Sequence, residues 1–156
     1  MTAHYYVDEQ HDLLIGSVSG LLQVDEIISE ANRVFTDTNG AAFMKNHLFV
    51  VEPNALSSLI DEEAMIRLRA FTDSWGRKYP GRHIRTAVLV EDGIYKESLF
   101  RRWQAIVKDA MHYREDTRIM TDRAEALAWL AEPRSKTGDE NAISKQDHKG
   151  STSPSA

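Results

Sequence analysis

Two short runs, Leu48-Phe49-Val50-Val51 and Ala87-Val88-Leu89-Val90, are apolar at every position. A strand with one wet face alternates apolar and polar residues, so a run without alternation needs cover on both faces. Neither run approaches the roughly 20 residues that span a bilayer. They predict two central strands, His47 to Glu52 and Ile84 to Glu91, in a sheet layered on both sides. The stretch between them has a different period. A loop starts at Pro53, and Ala64, Leu68, Phe71 and Trp75 form one stripe of a helix over about Asp61 to Tyr79, which Pro80-Gly81 stops. Strand, helix and strand in that order imply parallel strands joined by a right-handed crossover.

The rest of the chain follows the same alternation. His4 to Glu9 and Asp12 to Ser19 read as a hairpin turning at Gln10-His11, more polar than the central runs and so peripheral. After Gly20, Val24, Ile27, Ile28, Ala31, Val34 and Phe35 recur at helical spacing, with Asp25 and Glu26 in the first turn and Asn39-Gly40 at the end. A third helix is expected from about Tyr95 to His112, and a fifth strand from about Arg118 to Thr121. In the last helix Asp122 and Glu125 are spaced as a capping box, Leu127 and Leu130 are placed to pack, and Trp129 is placed to anchor on the sheet. The expected order is β-β-α-β-α-β-α-β-α, with the domain ending near Glu132. Residues 133–156 have Ile143 as their one large aliphatic side chain and are rich in Ser, Lys, Gly and Pro. That composition predicts a disordered polar tail.

Composition narrows the function classes. There is no cysteine, so disulfides, thiolate metal sites and cysteine nucleophiles are excluded. Residues 1–132 hold 15 basic against 21 acidic residues, a balance of −6, which speaks against a nucleic-acid partner. The first dozen residues lack the basic-then-apolar pattern of a signal peptide, so a cytoplasmic location is expected. The six histidines, His4, His11, His47, His83, His112 and His148, show no metal-ligand spacing and read as surface residues. No Gly-x-Gly-x-x-Gly, P-loop lysine or Gly-x-Ser-x-Gly elbow is present, so neither a cofactor nor an enzymatic activity is expected.

The opening hairpin, Gly20-Leu21-Leu22 entering an acid-started helix, the two apolar runs, and Thr121-Asp122 leading to Ala126, Trp129 and Leu130 occur in an order that resembles the SpoIIAA-like (STAS-like) family. The likeness spans roughly residues 4–131 and is nearest to a bacterial branch grouped with STAS and CRAL-TRIO-type folds. It implies an α/β fold with a SpoIIAA-like five-stranded mixed sheet, an N-terminal hairpin followed by right-handed βα units, and four helices. It also implies a non-enzymatic regulatory or protein-interaction domain, akin to anti-sigma-factor antagonists. In the regulatory branch a serine at the start of the helix after the third strand is phosphorylated. That region here is Ser57, Ser58 and Asp61. It departs from the family pattern, because the stretch from Ser57 to Glu63 holds no Asp-Ser or Ser-Gly pair. A helix cap by Ser58 or Asp61 is the plainer reading.

Two further candidates come from the residues. Arg77, Lys78, Arg82, His83 and Arg85 crowd a helix end and turn, and are a candidate surface for an anion or an acidic partner. Phe71, Trp75, Leu99 and Trp103 lie on apolar helix stripes and either fill a core or line a pocket between helices and sheet. The second option makes a binding module for a small apolar or acyl ligand the alternative function. A protein partner and a homodimer through an apolar sheet face or edge complete the expectations.

Overall fold

The computed structural model describes residues 2–90 and 94–133, with side chains for all of these except 94–97. Of the expected tail, residues 134–156 lie outside the described residues. So do the strand position Glu91 and the side chain of Tyr95.

The elements are β1 (Ala3–Asp8), β2 (Leu13–Val18), α1 (Val24–Asp37), β3 (Asn46–Val51), α2 (Glu62–Lys78), β4 (His83–Val90), α3 (Ile94–Val107), β5 (Arg114–Met120) and α4 (Arg123–Ala131). The five strands form one mixed sheet in the order β1-β2-β3-β4-β5. β1 and β2 pair antiparallel as a hairpin, and β2 through β5 are parallel. Each parallel strand is added on the same side of the last. Crossovers of one hand then place α1, α2 and α3 on one face of the sheet, and α4 alone returns to the other.

Two cores result, and strand alternation divides the side chains between them. Leu14 and Val18 of β2, Val51 of β3 and Val88 and Val90 of β4 pack under α1–α3, while Leu13, Ile15, Leu48, Ala87 and Leu89 pack under α4 against Ala126, Trp129 and Leu130. The unbroken apolar runs are thus explained, because β3 and β4 are covered on both faces. The hairpin differs from expectation in one respect. Only β1 is an edge; β2 is interior and buried at five of its six positions. β5 also begins earlier than its apolar residues suggest, at Arg114, because an edge strand extends through charged residues that face solvent on one side.

Local chemistry holds the helices in place. Asp61 caps α2 by accepting from the Ala64 amide at 2.8 Å, and Asp122 caps α4 by accepting from the Glu125 amide at 3.1 Å. α1 lies along the open edge of β1. There Glu30 accepts from the Tyr5 amide at 3.3 Å, and the Arg33 guanidinium donates to the Tyr5 carbonyl at 3.2 Å. These side chains occupy backbone groups that another strand would otherwise pair with. The turn after α1 needs glycine at Gly40 (φ +86°), where a Cβ would sit on the Tyr79 hydroxyl.

A candidate ligand cavity between the helices and the sheet

Beneath α1–α3 the apolar packing is incomplete, leaving a cavity of about 130 Å³. Its floor takes residues from all five strands: Tyr5, Leu14, His47, Phe49, Ile84, Thr86, Val88 and Glu115. Ala31 and Phe35 of α1, Ile60, Met65, Leu68, Phe71 and Thr72 at and along α2, and Leu99, Phe100 and Trp103 of α3 close it from above, with Phe43 and Lys45 from the α1–β3 connection. The rings meet in pairs: Phe35 stacks on Phe71 with centroids 5.9 Å apart, and Phe49 meets Phe100 edge-on at 6.1 Å.

Register sets a polar row into this apolar floor. Leu14 pairs with His47, His47 with Thr86, and Thr86 with Thr117, so these four residues form one line across β2–β5. Glu115 stands two residues earlier on β5, beside Ile84. Tyr5 reaches the row over Gly16, its partner on β2. A Cβ at Gly16 would lie 2.6 Å from the Tyr5 ring and 3.1 Å from His47 Nε2, so only glycine lets the two rings approach, with centroids 5.6 Å apart.

The titratable groups of the cavity respond to burial. His47 Nε2 is buried with no hydrogen-bond partner among the described residues. Desolvation pulls the imidazole down to about 4, so it is neutral at physiological pH. His47 lines the cavity. Burial pushes the Glu115 carboxyl above the ordinary carboxylate range, against the opposing effect of hydrogen bonds from Thr117, Trp103 and Thr86. Its Oε2 accepts from Thr117 Oγ1 at 2.9 Å and Trp103 Nε1 at 3.3 Å. The Tyr5 phenol is raised by burial first, then by the Glu115 and Glu30 carboxylates, and stays protonated. Lys45, at the cavity wall, is committed to Asp12 at 2.5 Å. Glu115 also lines a second, more open groove of about 340 Å³ with His83, Val107, Lys108, Tyr113, Arg114 and Asp116.

The residues singled out from sequence fall into separate places. Phe71, Leu99 and Trp103 line the cavity. Trp75 does not; it packs against Phe35 and Phe43, stacks on Tyr79 and carries the Lys78 ammonium over its ring at 4.2 Å. Ser57 is half-buried and Ser58 exposed, both just ahead of the Asp61 cap. The basic segment does not form one surface. Arg77 and Lys78 are exposed at the end of α2, Arg82 donates to the His83 carbonyl at 2.8 Å, and His83 lies in the open groove. Arg85 faces the α4 layer, because strand alternation sends it opposite to Ile84 and Thr86. There it donates to the Trp129 and Glu132 carbonyls at 2.9 and 3.1 Å, adding a charged donor at the C-terminus of α4, where the Trp129 carbonyl also accepts from the Glu132 amide.

His47, Thr86, Glu115 and Tyr5 were not singled out from sequence. A histidine at the head of an apolar strand was the available signal for the first. Glu115 escaped because β5 starts earlier than its apolar residues show. Among the described residues no group of three or more His, Asp or Glu side chains is placed to hold a metal, and no helix is long and apolar enough to cross a membrane. Compared with known proteins, the chain matches no family model, no curated protein and no solved structure.

Proposed function

We propose that the domain is a non-enzymatic binding module for a small apolar ligand held between α1–α3 and the sheet. One observation carries this reading: a ring-walled cavity whose floor holds a buried imidazole nitrogen without a partner. Native interiors leave few polar atoms unsatisfied, so an unpartnered nitrogen at a cavity wall marks a floor suited to a bound molecule rather than to close packing. The volume of about 130 Å³ sets the scale. An apolar cavity of about 150 Å³ accommodates benzene, so a single ring or a short chain fits and a long acyl chain does not.

The test is a titration of the protein with benzyl alcohol, followed by two-dimensional NMR and thermal melting. Saturable shifts of the Phe100 and Trp103 resonances, with a rise in melting temperature, are expected. Both should be lost in Ala31→Leu, which fills the space from α1. Absence of any saturable response in the unaltered chain would sink the reading.

A second reading, a regulatory protein-interaction domain of SpoIIAA-like type, is supported by a different feature. Leu56 and Leu59 are 60% and 52% exposed on either side of Ser57 and Ser58, and Leu21, bridged to Leu56, is 40% exposed. Exposed leucines grouped around a helix entry suit a partner contact. Leu56→Glu with Leu59→Glu should then abolish capture of a specific partner while leaving the melting temperature unchanged; equal capture by both chains would count against it.

A further inference from the structure

Glu115 lines both the apolar cavity and the open groove, and no cation among the described residues is paired with it. Its hydrogen-bond donors, Trp103, Thr117 and Thr86, are all neutral. It takes part in none of the ion pairs among the described residues. A carboxyl group in such surroundings resists ionising, and a cation beside it favours the charged form. The nearest charged candidates are otherwise placed. Lys45 is paired with Asp12, and Lys108, Arg114 and His83 share the open groove with Glu115 without an ion pair to it, with Asp116 adding negative charge there. Among the described residues, the side chains in hydrogen-bond contact with Glu115 are Trp103, Thr117 and Thr86.

We propose that the cavity takes a small organic cation: a compact aromatic amine whose ammonium pairs with the Glu115 carboxylate while its ring fills the space beside Phe49, Phe100 and Trp103. The inference rests on the ligand-binding reading and specifies its head group. The ammonium supplies the missing counter-charge and a charge-assisted hydrogen bond, and the surrounding rings offer their negative faces to it. An anionic head would meet Glu115 as a like charge and would force its protonation. A neutral alcohol would gain the ring packing but not the ion pair. His47 lies two strands away, roughly 10 Å across the sheet, beyond the reach of an ammonium paired with Glu115.

The full chain is titrated near neutral pH with benzylamine, benzyl alcohol and benzoate, which match in size and differ in the head. Calorimetry should show benzylamine binding about tenfold tighter than benzyl alcohol, with benzoate weakest. Glu115→Gln should remove the benzylamine advantage and leave benzyl alcohol binding as before. Benzyl alcohol or benzoate binding as tightly as benzylamine overturns the inference and leaves the cavity reading standing. No saturable binding by any of the three overturns both. If the Gln variant does not fold, the order of the three ligands on the unaltered chain decides alone.

Discussion

Lowering the pH from about 7 to about 5 should cost the folded chain about 2 kcal/mol through His47 alone. The imidazole titrates near 6.5 when solvated and at about 4 in the fold, because burial beside Gly16 and the Tyr5 ring removes the water that would stabilise its charge. Between those values the unfolded chain binds the proton and the folded chain does not. Stability therefore rises with pH across that window and falls as pH descends through it. Above about 7 the residue contributes no pH dependence. Below about 4 the full difference, about 3 kcal/mol, is reached. Denaturant melts of the unaltered chain and of His47→Gln, at steps from about pH 7 to about pH 4.5, isolate the effect. Gln does not titrate, so carboxylates common to both chains cancel in the difference. The unaltered chain should lose about 2 kcal/mol more than the variant by about pH 5, or about 6 °C in melting temperature. Parallel curves would show that His47 is solvated and that the cavity floor is not dry. A variant that loses more than the unaltered chain would reverse the argument.

Three further outcomes follow from named contacts. Glu30 is held below the ordinary carboxylate range by the Arg33 guanidinium and the Tyr5 amide, so its contribution is present above about 4.5 and disappears as pH falls below that. Arg33 is half exposed, so Glu30→Gln should cost only about 1 kcal/mol at neutral pH and nothing at strongly acidic pH, measured by urea melts. Arg85→Met should cost about 1.5–3 kcal/mol and speed amide exchange in α4, because the Trp129 and Glu132 carbonyls lose a charged donor; unchanged exchange in α4 would contradict this. Gly16→Ala should destabilise by about 1–3 kcal/mol and shift the Tyr5 and His47 ring resonances, since the new methyl must displace one ring or the other.

The fold was legible where the signal was local. Local pattern located every strand and helix, because helical spacing, caps, alternation and unbroken apolar runs are all properties of neighbouring residues. The Asp122 cap was legible for the same reason, and at α2 the choice was narrowed to Ser58 or Asp61, of which Asp61 serves; each cap lies three residues from the amide it satisfies. The unbroken apolarity of Leu48–Val51 and Ala87–Val90 already implied two covering layers.

What the tertiary structure alone decided is which distant residues share a space. Arg85 looked like part of a basic turn and proved to hold the end of α4, because one step along a strand changes the face. Trp75 and Trp103 both sat on apolar stripes, yet only Trp103 borders the cavity. His47, Thr86 and Glu115 come from β3, β4 and β5, and only the parallel register lays them in and beside one row. A sequence states which side chains are apolar within each element. Whether the elements close on one another or leave a gap depends on the summed volumes of side chains far apart in the chain, and that quantity exists only once they have packed.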